Sequence, residues 1–188
     1  MYLIAGLGNP GLQYNGTRHN VGFILLDHIA RQNNLSFTES RWKALTVKTV
    51  LWGASVVLLK PETFMNNSGT AVASAAQFYK LSAGNIIVIH DDLDMEFGRV
   101  KIISGGGDGG HKGVRSCIEQ LSTRDFIRIK IGIGRPSTPI PPEKYVLARF
   151  DSEEHEAMEK KMAAIIDAIK ILLQQGISAA MTVANQKE

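Results

Sequence analysis

The sequence of 188 residues contains one cysteine, Cys117, so it can form neither an intrachain disulfide nor a cysteine-rich zinc site. It has no apolar run near the ~20 residues that span a bilayer. The first six residues lack the basic region and cleavage site of a secretion signal. These absences favour a cytoplasmic protein, and at this length we expect a single domain over residues 1–188.

Proline is scarce except in one stretch, because four of the six prolines lie between Arg135 and Pro142. Proline fixes the backbone and removes a hydrogen-bond donor, so this stretch predicts an extended loop that resists helix formation. Such a loop either borders a site or is a plain surface connection.

Short apolar runs alternate with segments of helical period. Strands are predicted at 2–6, 47–52, 54–60, 85–90, 99–103 and 127–133, and helices at 21–32, 68–79, 113–121 and 153–174. Asp151 and Glu154 form a capping-box pattern before the last helix, and Gly176 is a stop signal after it. This order predicts an α/β domain with a mixed, largely parallel twisted sheet flanked by helices.

Positive charge is concentrated in the middle of the chain, although the net charge is only +3. Residues 99–130 contain seven bases and three acids, whereas residues 151–188 contain four bases and seven acids. A local basic face is typical of proteins that bind phosphate backbones. A solvated surface of mixed charge is the alternative.

A glycine pattern from Gly6 to Gly11 matches the dinucleotide fingerprint, but its context does not. The chain stays irregular until Val21, so no helix begins where it would hold a pyrophosphate. A tight turn that presents the Asn9 amide at the carboxyl edge of the sheet fits better. A nucleotide-binding module remains an alternative.

Two further segments carry groups suited to acid–base chemistry. His19 lies on a polar loop near this sheet edge, and histidine is the commonest general base. The segment His90–Asp94 ends the most apolar strand, and one of its aspartates could accept the N–H of His19. A metal site in this segment is a weaker alternative, because no second set of ligands is in register.

The segment after the predicted strand 54–60 offers an amide, Asn66, that could hold water or stabilise a developing negative charge. Asn67 or Ser68 could cap the next helix, and Phe64 could wall a pocket. Six glycines lie between Gly105 and Gly113, where backbone N–H groups could approach an anion. No covalent nucleophile is evident, which favours water activated by a base.

Six ordered blocks of the sequence resemble bacterial-type peptidyl-tRNA hydrolase. They are Gly-Leu-Gly-Asn-Pro-Gly, Tyr14 with Thr-Arg-His-Asn, Thr-Phe-Met-Asn-Asn-Ser-Gly, His-Asp-Asp-Leu-Asp, Gly-Gly-His and Ile-Gly-Ile-Gly-Arg-Pro, between residue 3 and about residue 150. The resemblance implies a monomeric cytoplasmic enzyme without a metal or cofactor. It would hydrolyse the ester between a peptide and the 3′ ribose of tRNA, so that tRNA is recycled during translation.

The resemblance also implies roles for particular residues. His19 would be the catalytic base and Asp91 the carboxylate that orients it. Asn9 and Asn66 would bind the peptide end and the reacting carbonyl, and Tyr14 and Phe64 would contact the substrate. The resemblance further places Lys101, Arg128 and Lys130 in an RNA-facing basic region.

One position departs from the family pattern, which has asparagine where this chain has Lys112. Lysine has donors but no acceptor, so it cannot hold a water as asparagine does. We expect Lys112 still to contact substrate, through a phosphate or an oxygen of the peptide. A non-catalytic RNA-binding relative of the same fold is the main alternative function.

Overall fold

The computed structural model describes residues 1–136 and 138–186. Seven strands lie in these residues: β1 (Tyr2–Gly6), β2 (Glu39–Arg41), β3 (Ala44–Leu51), β4 (Ala54–Pro61), β5 (Ile86–Asp92), β6 (Val100–Ser104) and β7 (Ile127–Gly132). Six α-helices accompany them: α1 (Val21–Gln32), α2 (Ser68–Phe78), α3 (Lys112–Leu121), α4 (Pro142–Leu147), α5 (Ser152–Gln175) and α6 (Ile177–Ala184).

The strands form one sheet in the order β2-β3-β4-β1-β5-β7-β6. Strands β4, β1, β5 and β7 are parallel, and the outer strands β2, β3 and β6 pair antiparallel with their neighbours. The predicted α/β class with a mixed sheet is therefore confirmed. Because β1, β4 and β5 are parallel neighbours, the loops that follow them meet at one sheet edge.

Helices cover both faces of the sheet, which explains the continuous aliphatic run in β5. Ile87 and Ile89 pack in the core cluster with α1 and α5, whereas Ile86 and Val88 pack in the cluster with α2 and α3. Cys117 is fully buried in the second cluster, where burial raises the pKa of its thiol to about 12. It is therefore an inert core residue.

The glycines of the Gly6–Gly11 segment serve packing and turning rather than a phosphate. A Cβ at Gly6 would lie 2.3 Å from the carbonyl oxygen of Gly22, so glycine lets β1 approach α1. Gly11 has a φ of 107°, which glycine adopts without strain. A short 3-10 turn, Leu12–Tyr14, follows Gly11, and the first α-helix, α1, starts only at Val21.

The last long helix begins and ends as the sequence predicts. Asp151 accepts from the backbone N–H of Glu154 at 2.8 Å, and Glu154 accepts from Asp151 at 2.9 Å, which completes the capping box. Gly176 ends α5, and the short helix α6 follows it. The side-chain amide of Asn185, beyond α6, accepts from the N–H of Ile102 on edge strand β6 and donates to the carbonyl oxygen of the same residue.

Several local predictions were wrong or incomplete. Strand β2 and helices α4 and α6 were not predicted. Helix α4 begins at Pro142, because proline suits a first helical position, whose N–H needs no intrahelical partner. Neither Asn67 nor Ser68 caps α2 with its side chain. Among the described residues, no helix has both the length and the apolar character required to span a membrane.

Candidate active site

A cavity of about 480 Å³ opens at the sheet edge where β1, β4 and β5 end. His19, Asp91, Asn9 and Asn66, which the sequence singled out separately, all line it. Helix α4 contributes one wall through Pro142, Glu143, Val146 and Leu147. The proline-rich stretch and α4 therefore border the site.

His19 is held by the buried carboxylate of Asp91. It lies on a short 3-10 turn, Arg18–Asn20, and its Nδ1 is 2.8 Å from Asp91 Oδ1. Asp91 is 3% exposed, near the carboxyl end of β5. Since an ionised carboxylate only accepts hydrogen bonds, Nδ1 of His19 carries the proton. Nε2 has no hydrogen-bond partner in the described chain and is available as a base.

A second histidine, His111, binds the same carboxylate oxygen. Its Nε2 lies 2.9 Å from Asp91 Oδ1, and its Nδ1 accepts from the backbone N–H groups of Gly113 and Val114 at the start of α3. The two backbone donors require a bare Nδ1, so Nε2 carries the proton and donates to Asp91. Unlike His19, His111 has neither ring nitrogen available for substrate.

His111 ends the Gly-Gly-His block, and the sequence alone predicted no role for it. Histidine is not among the usual N-cap residues, so its position before α3 carried no clear signal. The only hint was a histidine at the end of a flexible glycine run. The fold brings it within 4.8 Å of the His19 ring, measured between ring centroids.

The electrostatics of the site keep Asp91 charged and His90 neutral. Burial by itself raises the pKa of Asp91, but His111 and His19 outweigh it and hold this pKa well below the ordinary value. His90 is 3% exposed, and its Nδ1 donates to the backbone oxygen of Asp91 at 2.7 Å. Burial and the proximity of His111 lower the pKa of His90 to about 3.

Asn9 is fixed so that its amide nitrogen is available. Its Oδ1 accepts from the backbone N–H of Met65 at 2.7 Å. Its own backbone N–H and carbonyl are both bound by the side chain of Asn20, at 2.8 and 3.0 Å. Because Oδ1 is occupied, the N–H groups of Asn9 Nδ2 are the ones left for a ligand in the cavity.

The other predicted substrate contacts lie around the mouth of the cavity. Asn66 and Lys112 are exposed and line it, as does Phe64, which is 58% exposed. Tyr14 is not among the lining residues. Its ring packs edge-on against Phe64 at a centroid distance of 6.3 Å, so it adjoins the cavity only through that ring.

The basic segment is only partly a surface. Arg128, which was expected to face RNA, is 2% exposed and donates to the carbonyl oxygens of Gly106 and Gly107 at 2.6 and 2.5 Å. That expectation was wrong, because this guanidinium anchors the glycine-rich loop. Lys130 pairs with Asp92, whereas Lys101 and Arg124 are exposed and have no ion pair among the described residues.

Three groups could in principle hold a metal ion, since ligand atoms of His19, Asp91 and His111 lie within 4.8 Å of one another. The same atoms already form two N–H to carboxylate hydrogen bonds. A metal would have to displace both and deprotonate His111 Nε2. In the His90–Asp94 segment, Asp92 pairs with Lys130 and Asp94 pairs with Arg135. The ligand atoms of both groups are therefore already engaged in hydrogen bonds or ion pairs.

The fold and the cavity define an α/β protein with a histidine–aspartate pair beside a cavity, a combination suited to activating water for hydrolysis. Residues 3–188 match the family model described as peptidyl-tRNA hydrolase, and the chain belongs to that family. The resemblance found in the six sequence blocks is thereby confirmed.

Individual relatives agree with this assignment. A peptidyl-tRNA hydrolase of Desulfitobacterium hafniense is 45% identical over 99% of this chain and 100% of its own length. A chloroplastic peptidyl-tRNA hydrolase of Arabidopsis thaliana is 42% identical over the whole of this chain and 65% of its own length. The crystal structure of peptidyl-tRNA hydrolase from Acinetobacter baumannii superposes with a TM-score of 0.92 at 33% identity, covering 100% of this chain and 96% of that one.

Proposed function

We propose that this protein hydrolyses the ester bond between a peptide and the 3′ ribose of tRNA, with His19 as the base that activates water. The observation that carries the residue assignment is the orientation of His19. Its Nδ1 is bound to Asp91 and its Nε2 has no partner among the residues that the structure describes, whereas both nitrogens of His111 are occupied.

The reaction proceeds in two proton transfers. Nε2 of His19 takes a proton from water as the water oxygen attacks the ester carbonyl carbon. Asp91 remains ionised and stabilises the resulting imidazolium, as the acid of a catalytic triad does. When the tetrahedral intermediate collapses, the C–O bond to the ribose breaks and His19 returns the proton to the leaving 3′ oxygen. The products are a peptide carboxylic acid and tRNA.

Asn9 stabilises the negative charge that develops on the carbonyl oxygen. Its Oδ1 is fixed by Met65 and its Nδ2 has no partner within residues 1–136 and 138–186; a preorganised donor of this kind contributes about 2.7–4 kcal/mol to the transition state. Asn66, at the mouth of the same cavity, holds the peptide backbone. General-base activation contributes a further ~10²–10⁴-fold in rate.

The tRNA body lies outside the cavity, because about 480 Å³ accommodates only a ligand of small-molecule size. Two exposed bases, Lys112 at the cavity and Lys101 on edge strand β6, contact its phosphates. Such contacts are sensitive to salt and largely independent of sequence. We further propose that residues 1–188 act as one monomeric domain in the cytoplasm, which light scattering and cell fractionation would test.

Hydrolysis of an N-blocked aminoacyl-tRNA by wild type and His19→Ala tests the function. We expect turnover to fall by at least ~10²-fold in the variant while tRNA binding is kept. Turnover by neither protein, with binding intact in both, would support a non-catalytic RNA-binding protein instead. Full activity in the presence of chelator is expected, and its loss would support a metal-dependent hydrolase.

A further inference from the structure

Arg18, the residue before His19, is buried where the His19 turn packs against the distant segment 145–154. Its side chain is 9% exposed. The guanidinium carbon lies 4.3 Å from the ring centroid of Tyr145, the last but two residue of α4, and 5.5 Å from that of Phe150. This planar cation is therefore enclosed by aromatic faces, an arrangement that arginine tolerates better than lysine.

The guanidinium also binds the backbone just beyond α4. Its Nη1 donates to the carbonyl oxygens of Ala148 and Arg149 at 3.3 and 2.9 Å, and its Nη2 is 2.5 Å from Glu154 Oε2. The same Glu154 oxygen accepts from Asp151 in the capping box of α5. One side chain thus links the His19 turn, the end of α4 and the start of α5.

Backbone hydrogen bonds run alongside this side chain. The N–H of Arg18 donates to Ala148 at 3.1 Å, and the N–H of Phe150 donates to Gly16 at 3.1 Å. On its other side, α4 is tied to the end of β7 by Tyr145, whose hydroxyl donates to the carbonyl of Ile133 at 2.9 Å. The cavity wall and the base therefore share one anchoring point.

Stability alone is a weak reason for this arrangement. A buried ion pair is often no better for stability than apolar side chains of similar volume. The Nε of Arg18 is also buried without a hydrogen-bond partner in the described chain, which adds a cost.

We infer that Arg18 is a positioning residue that fixes the distance between His19 and the cavity wall formed by α4. This inference rests on the proposed function, in which His19 acts on an ester lying against that wall. A displacement near 1 Å of such a group is enough to lower a rate by ~10²-fold. Since the tRNA body supplies most of the binding, the effect should fall on kcat rather than on KM.

The test compares Arg18→Lys, Glu154→Gln and a matched control, Asp27→Asn, in hydrolysis of an N-blocked aminoacyl-tRNA. Arg18→Lys keeps the charge but loses the forked donors and the flat stacking surface. Asp27 pairs with Lys60 at 2.5 Å and neither lines the cavity, so the control removes an ion pair of similar geometry elsewhere. Rates are expressed per folded molecule, counted by tRNA-binding stoichiometry.

We expect kcat to fall at least tenfold in Arg18→Lys and severalfold in Glu154→Gln, with KM within threefold of wild type and Asp27→Asn unchanged. Wild-type kcat in both site variants, or the same loss in Asp27→Asn, would overturn the inference. His19→Ala is measured in the same assay. If His19→Ala stays fully active, the proposed base is wrong. If His19→Ala is inactive while both site variants keep wild-type kcat, the proposed function stands and only the role of Arg18 is refuted. If Arg18→Lys does not fold, the kcat of Glu154→Gln tests the inference: a severalfold fall supports it and a wild-type value overturns it.

Discussion

His111 donates its Nε2–H to Asp91 at 2.9 Å, on the same carboxylate oxygen that His19 binds. The backbone of α3 holds the opposite side of its ring. Helix α3 and the His19 turn are therefore joined through one oxygen atom, and the position of the base depends on an element that follows it by some ninety residues in the chain.

Replacing His111 by alanine should lower kcat without abolishing activity, because His19 is still present but Asp91, which holds it, is less firmly fixed. Asp91 would lose one charge-assisted hydrogen bond, worth about 1.5–3 kcal/mol, so we expect a fall of roughly 10–150-fold. His155→Ala, on the exposed face of α5, is the matched control and should behave as wild type. A loss as deep as that of His19→Ala would indicate that His111 itself acts on the substrate.

Buried His90 should make the fold sensitive to acid. The pKa of His90 is lowered to about 3 in the folded protein, against about 6.5 when unfolded, so between these values only the unfolded chain binds the proton. The contribution of uncharged His90 to the free energy of unfolding is complete above pH 6.5. It is lost as the pH falls, by about 1.4 kcal/mol per pH unit.

His90→Asn tests this dependence, because its amide can replace the Nδ1 donor but cannot titrate. Urea unfolding between pH 4 and 6.5 should show a slope of stability against pH that is smaller by about one proton than in wild type. An unchanged slope in His90→Asn would mean that His90 is protonated in the folded protein.

Much of this site could be predicted because it depends on neighbouring parallel strands. The loops after β1 and β5 must meet at one edge, so His19 was expected near an aspartate of the His90–Asp94 segment. Which aspartate faces His19 depends on the strand register, and the residues alone left this open. The residue roles, as distinct from the positions, remain predictions.

The contacts that could not be predicted join distant segments through side chains with no local signal. Arg18 contacts Arg149 across 131 positions, and His111 reaches Asp91 from a loop beyond the edge strand β6. Arg128 was expected to face RNA because the family resemblance placed it in a basic region. The glycine-rich loop covers Arg128 and turns its guanidinium inward.

The contact between α2 and α3 should not tolerate a side chain at Gly69. A Cβ there would lie 2.1 Å from the carbonyl oxygen of Ser116, and the N–H of Gly69 donates to Ser116 Oγ at 3.0 Å. We expect Gly69→Ala to destabilise the fold by about 1–3 kcal/mol in urea unfolding, although alanine favours a helix. Gly84→Ala, where a Cβ meets no atom within 4 Å, should be neutral. Equal stability of both variants would show that the two helices can separate freely.

Lys112 should reveal through salt dependence whether it contacts RNA. It is exposed at the start of α3, lines the cavity and has no ion pair among the described residues. If its ammonium binds a phosphate of the single-stranded tRNA end, Lys112→Asn should reduce the slope of log(kcat/KM) against log salt by about 0.7. Hydrolysis itself should persist, because His19 and Asp91 are untouched. Lys160 lies on the exposed face of α5, so Lys160→Asn should leave the slope unchanged. Identical turnover, affinity and slope in Lys112→Asn would show that this departure from the family pattern is without effect.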